Sequence, residues 1–163
     1  MAEDQSWAPM ILIVEDDPMI GELIMLRLTA AGYRTSWART GPEALTKIYE
    51  VRPKMMVLDL GLPVIDGFGV LEQVRAQQFF KNLPIIVLTG RHELADVKRA
   101  MALGASGYMA KPFESKDLVK RVEKYLTMPA GRAAPAAAVV PEPAKTKPNA
   151  KTAIVDDTDF LLL

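Results

Sequence analysis

The feature that most constrains the fold is a fivefold alternation between short apolar runs and segments with helical periodicity. The apolar runs predict strands at residues 10–14, 34–38, 55–58, 85–88 and 107–109. The periodic segments predict helices near residues 18–31, 42–51, 68–77, 92–103 and 115–126. Parallel neighbours need a crossover helix each time, whereas antiparallel neighbours do not. The sequence therefore predicts an α/β fold, a doubly wound sheet of five parallel strands flanked by five helices.

Local signals at the ends of these segments support the helix assignments. Asp17 and Ser115 each precede a predicted helix and are typical N-cap residues. Gly32 and Gly104 follow predicted helices, where glycine often ends a helix in the left-handed conformation. We therefore expect helices that begin close to residues 18 and 115 and end before the two glycines.

The composition of the chain changes near Met128. We predict an N-terminal lead at residues 1–8, one domain at residues 9–128, an alanine- and proline-rich linker at 129–150, and an acidic-hydrophobic motif at 151–163. The linker and motif together form an expected disordered tail that is too short for an output domain. The motif is interpreted as a docking segment for a partner, a segment that folds back on the domain, or an inert end.

Charge and composition narrow the class of protein. The 163 residues include 20 basic and 20 acidic residues and no cysteine. A balanced charge gives no field that attracts nucleic acid or an anionic membrane, and no apolar run reaches the roughly 18 residues of a membrane span. We therefore expect a cytoplasmic protein that binds neither nucleic acid nor membrane.

Chemically useful side chains follow four of the predicted strands. They are Glu15, Asp16 and Asp17 after the first, Asp59 after the third, Thr89 after the fourth and Lys111 after the fifth. Each has an ordinary structural role open to it: a helix cap, a turn or a solvated charge. Because parallel strands bring their carboxyl ends to one edge, where ligands bind in such sheets, the set as a whole favours a site. Clustered carboxylates repel one another unless a hard divalent cation lies between them, and Mg²⁺ is the cation that best suits carboxylates and phosphate oxygens.

Four motifs carry a family resemblance: ILIVEDDP at the first strand, VLDLGLPVIDG at the third, VLTG at the fourth and GYMAKPF at the fifth. Over residues 9–128 the chain resembles the receiver domain of two-component response regulators, bacterial signalling proteins with a flavodoxin-like fold and strand order 2-1-3-4-5. The resemblance implies that Asp59 is the phosphoacceptor. It also implies the roles of the other residues: Asp16, Asp59 and the Gly61 carbonyl as ligands of Mg²⁺ (with Mn²⁺ as an alternative), Glu15 acting on the metal through water, Thr89 and Lys111 contacting the phosphoryl group, Thr89 and Tyr108 as the switch pair, and a cis bond before Pro112.

The resemblance implies a single-domain response regulator that takes a phosphoryl group from a histidine kinase or a histidine phosphotransfer protein. It would catalyse its own phosphorylation and dephosphorylation, with no separate enzymatic output domain, and would signal by binding an unidentified downstream protein. The alternative is a relay intermediate that passes the phosphoryl group to another histidine protein. A flavodoxin-like cofactor binder is disfavoured, since the acids after the first strand would repel a phosphate. Lone His92 is interpreted as a solvated residue, and Asp17 as a helix cap.

Overall fold

A five-stranded parallel sheet forms the centre of the computed structural model, which describes residues 8–90 and 93–126. The spatial order of the strands is β2-β1-β3-β4-β5. The strands are β1 (Met10–Val14), β2 (Arg34–Ala38), β3 (Met55–Leu58), β4 (Ile85–Thr89) and β5 (Gly107–Ala110). The helices are α1 (Pro18–Ala30), α2 (Gly41–Val51), α3 (Gly67–Ala76), α4 (Leu94–Ala102) and α5 (Ser115–Leu126). The predicted fold class and strand order are confirmed.

The sheet is covered on both faces, which explains why its central strands are apolar at every position except Thr89, the last residue of β4. All residues of β3 and β4 are buried. On one face, Leu12 and Val87 pack with side chains of α2, α3 and α4. On the other face, Ile13 and Ile86 pack with side chains of α1 and α5. Burial on both faces removes the alternation of polar and apolar residues seen in half-exposed strands.

The predicted helix ends are confirmed at three of four positions. Asp17 caps α1, accepting hydrogen bonds from the backbone N–H groups of Met19 at 2.8 Å and Ile20 at 3.1 Å. Gly32 and Gly104 have φ angles of 91° and 95°, the left-handed region that favours glycine at a helix end. Ser115 is not the N-cap of α5. It is the first helical residue, because the Glu114 carbonyl already accepts from Leu118 N at 3.3 Å.

The remaining boundaries differ from the predictions by one or two residues. β4 and β5 each extend one residue further than predicted, to Thr89 and Ala110, and α4 begins at Leu94 rather than at residue 92. The α4 N-cap is Glu93, whose side chain makes no capping hydrogen bond, so the local sequence holds no clear start signal.

Several predictions fall on residues outside the described ranges. These are most of the N-terminal lead (residues 1–7), the pair Arg91 and His92, the linker at 129–150 and the motif at 151–163. Within residues 8–90 and 93–126, no helix has the length and apolar content that crossing a membrane requires.

Candidate functional site

The carboxyl ends of four strands bring the predicted site residues together. Carboxylate oxygens of Glu15, Asp16 and Asp59 all lie within 4.8 Å of one another. The Lys111 ammonium approaches two of these acids, with Nζ 2.6 Å from Glu15 Oε2 and 3.4 Å from Asp59 Oδ2. Glu15 is only 2% exposed and Asp59 7%. The predicted cluster of acids with one ammonium therefore exists, and most of it is withdrawn from solvent.

The backbone of the sheet holds the two buried acids in place. The hydrogen-bond ladder continues one residue past the strands: Glu15 N donates to the Ala38 carbonyl at 3.1 Å, and Asp59 N donates to the Val14 carbonyl at 2.9 Å. Each acid is thus fixed at its backbone by a neighbouring strand. A side chain on a rigid strand end keeps its position better than one on a mobile loop.

Gly67 lets the next helix begin directly against the Asp59 turn. A Cβ atom at this position would lie 2.2 Å from the Asp59 carbonyl oxygen and 2.6 Å from Leu60 Cα, so no other residue fits without movement of the backbone. Gly67 N also donates to the Leu60 carbonyl at 3.0 Å. The turn after β3 is therefore fixed by backbone hydrogen bonds at Asp59 N and at the Leu60 carbonyl.

The lysine is positioned from the end of β5. Lys111 N donates to the Thr89 carbonyl at 2.9 Å, which joins the residue after β5 to the last residue of β4. The Lys111–Pro112 peptide bond is cis, as predicted. Thr89 itself is 1% exposed. One hydroxyl and one ammonium thus stand at the same edge as the acids.

The electrostatics of the cluster favour a bound cation. Burial raises the pKa of Glu15, and the neighbouring Asp59 carboxylate raises it further, while the hydrogen bond from Lys111 opposes both effects. Three carboxylates share one ammonium within this group. The donor set, carboxylate oxygens around a small shared space, is the set that Mg²⁺ takes together with water and phosphate oxygens. The residues present therefore fit a magnesium site.

The other predicted site residues lie near the cluster or outside it. A Cβ atom built on Gly61 would lie 3.6 Å from Asp59 Oδ2, which places Gly61 beside the acceptor carboxylate. Asp17 caps α1 and is not a member of the acid cluster. Tyr108 is half-buried against the core on the α4 side of the sheet, and burial raises its pKa, with a smaller contribution from Asp96. Whether Gly61 and Tyr108 perform their predicted roles stays a prediction.

An exposed apolar stripe begins beside the cluster on α1. Met19, Leu23 and Leu26 are 80%, 38% and 64% exposed. Their spacing of four and three residues puts them on one face of the helix. This face starts at Met19, three residues after Asp16 of the acid cluster.

The residue that the sequence did not indicate is Trp37. Its indole Nε1 donates to the Glu15 carbonyl at 2.8 Å, directly behind the acid cluster. Trp37 belongs to β2, one of the two edge strands, which carries none of the predicted site residues. No spacing or motif in the sequence links it to the acids after β1.

The chain has clear relatives. The family model of the response regulator receiver domain matches residues 11–123. The DNA-binding response regulator MtrA of Mycolicibacterium smegmatis is 38% identical over 116 residues, which cover 71% of this chain and 50% of MtrA. The chain therefore spans about half the length of the curated relatives it matches.

Solved structures agree with this match. The chemotaxis response regulator CheY4 of Vibrio cholerae has a TM-score of 0.69 and 31% identity, over 72% of this chain and 98% of CheY4. The receiver domain of the sensor histidine kinase PA1611 from Pseudomonas aeruginosa, solved with a magnesium ion in its active-site cleft, has a TM-score of 0.68 and 30% identity, over 73% of this chain and 98% of that one.

Proposed function

The chain belongs to the response regulator receiver domain family, and from that premise we propose that it is a phosphorylation switch with Asp59 as its acceptor. The observation that carries the proposal is the contact of the buried Asp59 carboxylate with Lys111 Nζ, at 3.4 Å, inside the acid cluster. The phosphoryl donor is a histidine kinase or a histidine phosphotransfer protein, the donors that serve receiver domains. We place the reaction in the cytoplasm.

The chemistry is a phosphoryl transfer between two side chains. An Asp59 carboxylate oxygen forms a bond to phosphorus, and the bond from phosphorus to the donor histidine nitrogen breaks, its electron pair leaving with the imidazole. The Lys111 ammonium and the Thr89 hydroxyl contact the phosphoryl oxygens and stabilise their charge. Asp16, Asp59 and the Gly61 carbonyl would hold Mg²⁺, with Glu15 acting on it through water, and the ion would supply positive charge that offsets the charge of the transferring group.

The signal arises from the charge that is added. A phosphoryl group brings about −1.5 to −2 charge units and three acceptor oxygens. Thr89 moves toward these oxygens, and Tyr108 turns into the space that is released, because Tyr108 pairs with Val87, two residues before Thr89 on the neighbouring strand. The changed surface of α4, β5 and α5 then binds a downstream protein. The motif at 151–163 is a candidate second contact for that protein, and removal of these residues would test it by the loss of partner binding.

The exposed stripe on α1 supports docking of a protein donor. Met19 and Leu26 present large apolar side chains to solvent next to the site, which is typical of an interaction surface. Replacing both with alanine should slow transfer from a phosphorylated histidine protein and leave transfer from acetyl phosphate unchanged. Equal transfer rates from the histidine protein before and after the substitutions would exclude this surface.

Intact mass after incubation with acetyl phosphate tests the proposal. The wild-type protein should gain one phosphoryl group in the presence of Mg²⁺ and none with EDTA, and Asp59→Asn should gain none. A gain that persists in Asp59→Asn would show that another residue is the acceptor. No gain from acetyl phosphate or from any histidine donor would exclude the switch.

The relay alternative is separated by the fate of the phosphoryl group. A relay intermediate passes the phosphoryl group from Asp59 to a second histidine phosphotransfer protein. A switch instead releases it as inorganic phosphate. The prediction that the protein binds no nucleic acid stays a prediction, since the relative MtrA is named as DNA-binding and this chain spans only half of it.

A further inference from the structure

The loop that carries the acids is held from behind by β2. Glu15 N donates to the Ala38 carbonyl at 3.1 Å, and the Glu15 carbonyl accepts from the Trp37 indole Nε1 at 2.8 Å. The first contact joins two backbone groups and continues the parallel ladder, so it does not depend on the side chains at these positions. The second contact requires an N–H donor on a side chain of this length at position 37. Both backbone polar groups of Glu15 are therefore fixed by one neighbouring strand.

Gly21 on α1 makes room for the indole. A Cβ atom at Gly21 would lie 2.4 Å from Trp37 Cζ2, 2.5 Å from Cε2 and 2.8 Å from Nε1. Contacts below 3.0 Å force a shift, and the atoms met here belong to a rigid bicyclic ring rather than to the end of a flexible chain. The ring occupies the volume that any larger side chain at position 21 would take. Trp37 and Gly21 therefore form a matched pair.

The outer side of the indole is also covered. The Arg39 guanidinium carbon lies 5.6 Å from the centre of the Trp37 ring, within the range of a cation–π contact. Trp37 itself is half-buried and packs against the core on the α1 and α5 face of the sheet. The ring is thus held between a helix on one side and a charged side chain on another, so its N–H has a defined direction.

From these contacts we propose that Trp37 is a positioning residue for the metal-binding acids. The peptide group between Glu15 and Asp16 carries one of the cluster carboxylates on each side. Fixing its carbonyl by the indole fixes the direction in which both side chains leave the backbone. This inference rests on the proposed function only in that the cluster must bind Mg²⁺.

The size of the effect follows from how metal sites depend on groups behind the ligands. Removal of a partner that orients a ligand typically costs about 10- to 100-fold in metal affinity. Here the carbonyl would exchange a fixed donor for water and the peptide would gain freedom to rotate. We therefore expect Mg²⁺ affinity to fall about tenfold when the indole N–H is lost.

Mg²⁺ titration by calorimetry of the full chain tests the proposal, with Trp37→Phe and Gly21→Ala as the two variants. Phenylalanine retains an aromatic ring without the N–H, and alanine at Gly21 displaces the ring without changing it. Both variants should bind Mg²⁺ about tenfold more weakly than the wild type. Leu45→Ala serves as the control, since this partly buried residue packs on the opposite face of the sheet and its substitution lowers stability without touching the loop.

Thermal unfolding tests whether the Trp37 ring packs against Gly21. In the wild-type background Gly21→Ala should lower the midpoint of thermal unfolding because of the clash. In a Trp37→Ala background the same substitution should raise the midpoint, since alanine is the better helix former once the ring is gone. A change of the same sign in both backgrounds would contradict the packing of the ring against Gly21.

The outcomes distinguish a failure of the proposed metal site from a failure of the positioning role of Trp37. If the wild type binds no Mg²⁺, the proposed function fails at its metal site. If the wild type binds Mg²⁺ and Trp37→Phe binds it equally well, the positioning role is wrong while the proposed function stands. If Leu45→Ala weakens Mg²⁺ binding as much as Trp37→Phe does, the loss reflects general destabilisation, and the positioning role is likewise overturned.

Discussion

The amino ends and the carboxyl ends of the strands form two edges of the sheet, the amino edge and the carboxyl edge. The polar groups at these two edges are paired in different ways. At the amino edge, loop backbone groups pair with strand ends, as where Lys54 N donates to the Met10 carbonyl at 2.7 Å. There the Arg75 guanidinium donates to the Gly104 carbonyl at 2.7 and 3.0 Å and to the Phe80 carbonyl at 3.1 Å. In the acid cluster at the carboxyl edge, three carboxylates lie close together, and the Lys111 ammonium pairs with two of them, Glu15 and Asp59.

The difference lies in how completely the polar groups of each edge are paired. A buried polar group contributes to stability when it is fully paired, and it costs free energy when it is not. The amino edge follows this rule, since neutral carbonyls there accept hydrogen bonds from the Arg75 guanidinium. The carboxyl edge departs from it by keeping repelling carboxylates together, an arrangement that a bound divalent cation would make favourable.

The largest expected effect on the free energy of unfolding comes from removing the Arg75 hydrogen bonds at the amino edge. Arg75→Met keeps the apolar stem and removes three hydrogen bonds, so it should lower the free energy of unfolding by about 2 kcal/mol. Chemical denaturation measures this loss. Mg²⁺ affinity, measured by titration on the same variant, should stay at the wild-type value, and a parallel loss of affinity would show that the two edges are not independent.

At the carboxyl edge, removal of a charge should raise the free energy of unfolding rather than lower it. Glu15→Gln removes a buried charge whose pKa is raised by burial and by Asp59, and it should raise the free energy of unfolding in EDTA by about 1 kcal/mol. The same variant should bind Mg²⁺ more weakly. A loss of stability in EDTA would mean that the pairing of Glu15 with Lys111 outweighs repulsion and burial.

A smaller effect is expected at an acid of the same edge that lies outside the cluster. Glu43 accepts from Arg39 N at 2.7 Å and pairs with Lys47 at 2.7 Å, and these contacts, led by the one with Lys47, lower its pKa. Glu43→Gln should therefore lose about 0.5 kcal/mol at pH 7, a small value because the pair is partly exposed.

The sign of the pH dependence follows from the lowered pKa. The stabilising contribution of Glu43 is complete above the pKa of the unfolded chain and is lost as the pH falls through the lower pKa of the folded protein. The stabilities of the wild type and Glu43→Gln should converge as the pH is lowered through that range. A difference that persists at the lowest pH would assign the loss to packing rather than to charge.

Much of the site could be predicted from the sequence because its residues follow strands that the apolar pattern locates. Glu15, Asp59 and Lys111 each come directly after a short apolar run, and the parallel arrangement then places them at one edge. The helix cap at Asp17 was predictable for a similar reason, since capping depends on residues two and three positions away.

The remaining parts depend on contacts between distant segments. Trp37 meets Glu15 across 22 residues and reaches the space above Gly21 through the packing of α1 on the sheet, which no local pattern encodes. The start of α4 was misplaced because Glu93 makes no side-chain cap. Tertiary packing thus places Trp37, whereas at α4 the local residue types give no signal for the start of the helix.

The free energy of unfolding of the wild type and of Asp59→Asn, each in EDTA and in Mg²⁺, shows whether the acid cluster at the carboxyl edge is a cation site. The wild type should gain about 2.7 kcal/mol when Mg²⁺ is at 100 times its dissociation constant. Asp59→Asn should be the more stable protein in EDTA and should gain clearly less than the wild type at that Mg²⁺ concentration. Equal gains in the two proteins, or no gain in the wild type, would contradict the claim that the charge imbalance at the carboxyl edge forms a cation site.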